Sequence, residues 1–207
     1  MKQRMASLFR QSFLQYSFMG IDLALRACVI YINENFDCME ENTMSRKDIL
    51  GNEIKSECVG CAIVRGEVNL PGGIIHDGKS IILAADPEIP IPGFLIITSK
   101  RHIQSFAELT ADERTEIGNT IAIAERAIKD LKIAETVTLV QEERSRHFHI
   151  WIFPNQEWML DKFGYGLQYM RNINAFAKDN ASDADIEKVI RTAKEIKNYI
   201  ESENKHD

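Results

Sequence analysis

His147-Phe148-His149-Ile150-Trp151-Ile152-Phe153 alternates without a break. As a β-strand it points His147, His149, Trp151 and Phe153 to one face and Phe148, Ile150 and Ile152 to the other. Two imidazoles then share one surface. A strand covered on both faces is normally built from Val, Ile, Leu and aromatic residues, so two ionisable groups there need a purpose, such as a metal, a phosphate or a catalytic step. A pair of half-exposed, hydrogen-bonded histidines is the plain alternative, because His-x-His is short.

The 207 residues, 44% of them hydrophobic, suffice for one generous domain or a smaller one with extensions. A net charge of −6 without any Lys/Arg block argues against duplex nucleic acid as a partner, but small anionic ligands remain compatible. Cys28, Cys38, Cys58 and Cys61 are too few for a disulfide scaffold, and a reducing, cytoplasmic setting is expected. Residues 18–32 are apolar but broken by Asp22 and Arg26, which suits neither a signal peptide nor a membrane helix. Residues 1–44 are read as a poorly defined extension. Either the native product starts at Met39 or Met44, or the segment is a loosely attached helix. A polar, linker-like run follows over 45–56.

Further on, 62–64 is a short strand-like apolar run and 80–85 a second candidate strand. Pro87, Pro90 and Pro92 make 86–93 a rigid loop. A strand resumes over 94–98. Thr110 and Glu113 form a capping box, and Ile117, Ile121, Ala124, Ile128 and Leu131 follow at helical spacing. Strands are expected at 136–140 and 147–153, joined by a polar loop. This is an α+β pattern: an antiparallel sheet with a long covering helix. Residues 45–157 form that domain. Residues 158–207 read as a C-terminal helical appendage, with helices over 158–178 and 183–203; Ser182 and Asp185 cap the second, and Ile186, Val189, Ile190, Ala193, Ile196 and Ile200 line one of its faces.

Cys58-Val59-Gly60-Cys61 offers two soft thiolates from one turn. A tetrahedral zinc site needs two more ligands, for which His102 and His147 are candidates. A redox pair or chance cysteines are the alternatives.

Three separated stretches, Cys58-Val59-Gly60-Cys61-Ala62-Ile63-Val64-Arg65-Gly66-Glu67, Pro92-Gly93-Phe94-Leu95-Ile96-Ile97-Thr98-Ser99-Lys100-Arg101-His102-Ile103 and His147-Phe148-His149, together resemble the histidine triad superfamily over roughly residues 55–155. The resemblance implies a nucleotide-binding fold whose middle histidine, here His149, attacks an α-phosphate and forms a nucleotidyl-histidine intermediate. It places the ribose-holding carboxylate 16 positions before His102, at Asp86. A carboxylate suits that task because it accepts two hydroxyl protons; otherwise Asp86 merely opens the proline loop. Ile63, Val64, Ile82 and Ala84 correspond to the base pocket, or to ordinary core. Zinc-binding branches, including galactose-1-phosphate uridylyltransferase relatives, imply a structural Zn2+ on Cys58, Cys61, His102 and His147. His76 and His206 are expected at the surface. Homodimerisation through the Thr110 helix and the sheet edge is also implied.

Two departures stand out. The third triad position, histidine or glutamine in the family, is Trp151, whose indole has one N–H donor and no acceptor. It donates to phosphate, stacks on a base or appendage, or serves as core. The small residues that precede the triad in the family are replaced by Glu142, Glu143, Arg144, Ser145 and Arg146. Arg144 or Arg146 can grip phosphate and Ser145 can donate a hydroxyl, unless the loop is simply solvated. The expected function is a hydrolase or nucleotidyltransferase acting at the α-phosphate of a dinucleoside polyphosphate, nucleotide sugar or related substrate. The alternatives are a nucleotide-binding protein without turnover and a zinc-stabilised interaction module whose C-terminal helices bind a partner.

Overall fold

The computed structural model describes residues 46–141, 146–164 and 166–203. All described residues belong to one compact unit, Ser45–Asp207. Five strands, β1 (Ile74–Asp77), β2 (Ile81–Ala85), β3 (Leu95–Ser99), β4 (Val137–Gln141) and β5 (His149–Pro154), form one sheet in the order β1-β2-β3-β5-β4. Every neighbouring pair is antiparallel. Every residue of β2 and β3 is buried, as expected of central strands that read as apolar runs rather than alternations. β4 is an edge strand, and Leu139 on it is 47% exposed.

Directly paired residues share a face of a sheet, so Ile82, Thr98 and His149 lie side by side, as do Ala84, Ile96, Trp151 and Val140. The opposite face carries Leu83, Ala85, Leu95, Ile97, Ile150 and Ile152 in the main core. That core is covered by α2 (Ala111–Asp130), whose Thr110–Glu113 capping box forms, and by α5 (Asp183–Glu203). Val189, Ile196 and Ile200 of α5 are almost fully buried, each worth roughly 1.5–3 kcal/mol. The C-terminal helix is thus half of the covering layer.

Three local features differ from expectation. Residues 62–64 are helical, part of α1 (Val59–Val64), because the Cys58 thiol accepts the Cys61 N–H as an N-cap and winds the turn. Three apolar residues have no readable period. The expected helix over 158–178 is split into α3 (Glu157–Phe163) and α4 (Met170–Asn180). Gly164 and Gly166 lie between them at φ 95° and 112°, a region that only glycine enters cheaply. Finally, the polar run over 46–54 is docked: Lys47 and Glu53 form a β-bridge, Ile49 N–H donates to the Pro87 carbonyl, and Asp48 Oδ1 accepts from Leu50 and Asn52. The aspartate organises a turn that composition alone reads as linker. No described helix is long and apolar enough to cross a membrane.

Candidate active site and metal centre

Four ligand atoms converge between α1, the segment after β3 and the entry to β5. Cys61 Sγ lies 3.0 Å from His102 Nδ1 and 3.5 Å from His147 Nδ1; Cys58 Sγ lies 3.6 and 3.4 Å from the same atoms. All four are within 4.8 Å of one another. A tetrahedral zinc with Zn–S of about 2.3 Å and Zn–N of about 2.0 Å requires sulfur–nitrogen separations of about 3.5 Å, so the donor set fits. His147 Nε2–H donates to the Ser99 carbonyl at 2.7 Å, which fixes the tautomer and turns the Nδ1 lone pair toward the thiols.

The surroundings fit a dication as well. Burial, then the hydrogen bond and charge of Cys58, push the Cys61 thiol above its ordinary pKa, while burial pushes His147 below its own. Two crowded thiols beside two imidazoles are a set that a cation stabilises as thiolates and neutral rings. The backbone accommodates this closely. A Cβ on Gly60 would lie 2.4 Å from His147 Cγ, so only glycine lets α1 approach that ring. The four residues make a closed Cys2His2 zinc site of the structural kind.

His149 stands on β5 opposite Thr98, half-buried. Its Nδ1–H donates to the His147 carbonyl at 3.0 Å, which turns Nε2 away from that carbonyl. Thr98 Oγ1 is buried and has no partner among the described residues. The Trp151 ring lies 5.4 Å from that of His149 at 53° and packs edge-on against Phe94 at 5.8 Å. Its indole N–H donates to no described residue. Trp151 also packs against a cluster formed by Ile89, Ile91, Phe94, Phe153, Met159, Met170, Ile173 and Ala177, so α3 and α4 border this face.

Asp86, just beyond β2, is buried. Its Oδ1 accepts the N–H groups of Glu88 and Ile89, both at 2.9 Å. Opening the proline loop is therefore one task it performs. Burial raises its carboxyl to about 6 against the pull of those two donors; Glu88 raises it further and Lys178 lowers it. Lys178 of α4 thus reaches the surroundings of Asp86, and Asn174, one turn earlier, has a buried Oδ1 without a described partner. Neither residue has a sequence signal beyond its place on an amphipathic helix. Ile63 and Ile82 are buried in one cluster and Val64 packs against it. Arg144 and Ser145, like His206 and residues 1–44, lie outside the described residues. Arg146 is exposed and His76 partly so.

No family model matches the sequence. Among solved structures, a zinc-bound histidine triad family protein from Mycobacterium smegmatis is similar with a TM-score of 0.52 at 15% identity, over 71% of this chain and 97% of that one. This chain has the histidine triad fold. A Hit-like protein involved in cell-cycle regulation from Bartonella henselae is similar in fold (TM-score 0.51, 18% identity, 70% of this chain and 98% of that one). A hypothetical histidine triad nucleotide-binding protein from Sulfolobus tokodaii is also similar in fold (TM-score 0.51, 19% identity, 70% of this chain and 93% of that one). By sequence, Autophagy-related protein 2 of Aspergillus terreus is 27% identical over 111 residues, 53% of this chain. The chain spans only 5% of that relative's length. Within the histidine triad fold, the expected metal ligands meet in one place and His149 meets Trp151.

Proposed function

We propose that this protein binds a nucleotide on the sheet face bearing His149 and transfers or hydrolyses its nucleoside monophosphoryl group through His149 Nε2. The observation that supports this reading is the hydrogen bond from His149 Nδ1–H to the His147 carbonyl. It orients the ring so that Nε2, the nucleophilic atom, points away from the backbone. Asp86 receives the ribose hydroxyls, Ile63, Val64 and Ile82 border the base, and Trp151 lies beside the phosphates. Arg144 and Ser145 are the remaining phosphate candidates. Dinucleoside polyphosphates and nucleotide sugars are the substrate classes to screen first. Zinc on Cys58, Cys61, His102 and His147 supplies no chemistry to the reaction and anchors the segment that carries His149. The free thiols suit a reducing compartment such as the cytoplasm. The edge strand β4, with Leu139 exposed, is where a homodimer would form.

A second reading, a nucleotide binder without turnover, is favoured by Trp151 alone. The test is a screen of nucleotide substrates with paired variants. His149→Ala should abolish turnover and keep zinc, whereas His147→Ala should lose zinc too. Equal zinc contents in both variants contradict this division of roles, and tight binding without turnover in the unaltered protein favours the second reading.

A further inference from the structure

The loop that carries Asp86 rests on the segment that composition reads as a linker. Ile82, Ala84 and Asp86 alternate along the chain, and the Asp86 N–H extends the ladder beyond β2 by donating to the Phe94 carbonyl at 2.9 Å. Asp86 therefore belongs to the sheet face of Thr98, His149 and Trp151. The chain turns at Pro87, and the Asp86 carboxylate is tied to the N–H groups of Glu88 and Ile89. Holding Glu88 in place thus holds Asp86.

Residues 46–54 supply that hold. The Arg46 guanidinium forks the Glu88 carboxylate, Nε donating to Oε1 at 3.1 Å and Nη2 to Oε2, while the Ile49 N–H donates to the Pro87 carbonyl at 2.8 Å. Arg46 is itself anchored. Its carbonyl accepts the Ile54 N–H at 2.7 Å, and Ile54 is buried in one cluster with Ile63 and Ile82. An exposed ion pair contributes little by itself, but a two-pronged arginine fork has a fixed geometry, and the Glu88 side chain is only 18% exposed. Charge matters as much as shape. Among the described residues, the charged groups acting on Asp86 are Glu88 on its own loop, Lys178 of α4 and Arg46. Glu88 opposes ionisation of Asp86, and Arg46 offsets Glu88.

We infer that Arg46 is a positioning residue for ribose recognition: by forking Glu88 it aims the Asp86 carboxylate at the sugar hydroxyls and cancels the like charge beside it, so that residues 46–54 set a preference for ribonucleotides over 2′-deoxyribonucleotides. The inference rests on the nucleotide-binding reading above and deepens it.

The test is nucleotide binding by the full chain with zinc, measured by calorimetry from about pH 5 to about pH 8. Adenosine, guanosine, cytidine and uridine 5′-monophosphates are each compared with their 2′-deoxy counterparts, so that titration of the phosphate cancels in the ratio of affinities. The unaltered protein should prefer one ribonucleotide by about tenfold or more near pH 8, the size of one hydrogen bond to a charged group. That preference should fall away through about pH 6, where Asp86 takes up its proton. Arg46→Met should move the midpoint up by about half a pH unit or more, Glu88→Gln should move it down, and the double variant should return it to about the native value. A midpoint that stays put in Arg46→Met or in Glu88→Gln, or that the second substitution fails to restore, overturns the inference and leaves nucleotide binding standing. Equal affinity for both sugars at every pH overturns the inference together with the ribose role of Asp86. No affinity for any nucleotide overturns the proposed function as well.

Discussion

Replacing Asp86 with Asn removes a charge and keeps the shape. Oδ1 can still accept the N–H groups of Glu88 and Ile89, so the turn survives. In the native protein burial moves this carboxyl from its ordinary 3.8 to about 6, so ionisation disfavours the folded state. A group whose folded pKa is raised contributes its full stability below the unfolded value and loses it as the pH climbs through the folded one. At about 1.4 kcal/mol per pH unit, the gap costs the native protein about 3 kcal/mol once the pH exceeds about 7. Asparagine carries no such penalty. Asp86→Asn should therefore be more stable by about 3 kcal/mol near pH 7.5, with the difference shrinking to about 1 kcal/mol near pH 4.5. Urea unfolding followed by the fluorescence of Trp151 and Trp158 measures this, provided the slope m is unchanged. The same variant should bind nucleotide more weakly, because an amide accepts hydroxyl protons on only one atom. A pH-independent difference, or a less stable variant near pH 7.5, would refute the assignment of a buried, reluctantly ionised carboxyl.

Other perturbations follow from the same geometry. Gly60→Ala should lose zinc and lower the melting temperature, because the new Cβ meets the His147 ring at 2.4 Å; metal content after purification checks it. Glu113→Ala should cost about 1 kcal/mol near neutral pH through its cap. In the native protein the hydrogen bond from Arg101, then that from the Thr110 N–H, holds this carboxyl down at about 2. That contribution is present above its ordinary 4.5 and is lost as the pH falls toward about 2, so melts of variant and native protein should converge in acid. Leu139→Asp should leave the monomer fold intact and reduce the particle mass in light scattering if β4 pairs between copies.

The elements that could be read from sequence are those whose signal is local. Thr110 with Glu113, and Ser182 with Asp185, cap helices in the structure as their spacing implies. The strands over 81–85 and 95–99 read as apolar runs because both faces are covered. The remaining features depend on the third dimension. Ile74–Asp77 is a four-residue edge strand with a bulge and a charged end, too short to show a period. The amphipathic stripe of α5 announces that it needs a partner but not that the partner is β1, β2 and α2. Lys178 looks like any solvated lysine until α4 is placed near Asp86. The metal ligands were legible as types and spacings. Their convergence was not, since Cys58 and His147 are 89 residues apart.

In the proposed reaction His149 carries the nucleotide covalently. Mixing the protein with excess dinucleoside polyphosphate or nucleotide sugar, quenching in mild alkali to preserve phosphohistidine, and mapping peptides by mass tests it directly. The prediction is a mass increase of one nucleoside monophosphate on the peptide containing His149, absent in His149→Ala. An adduct on another residue, or turnover that persists in His149→Ala, would contradict it.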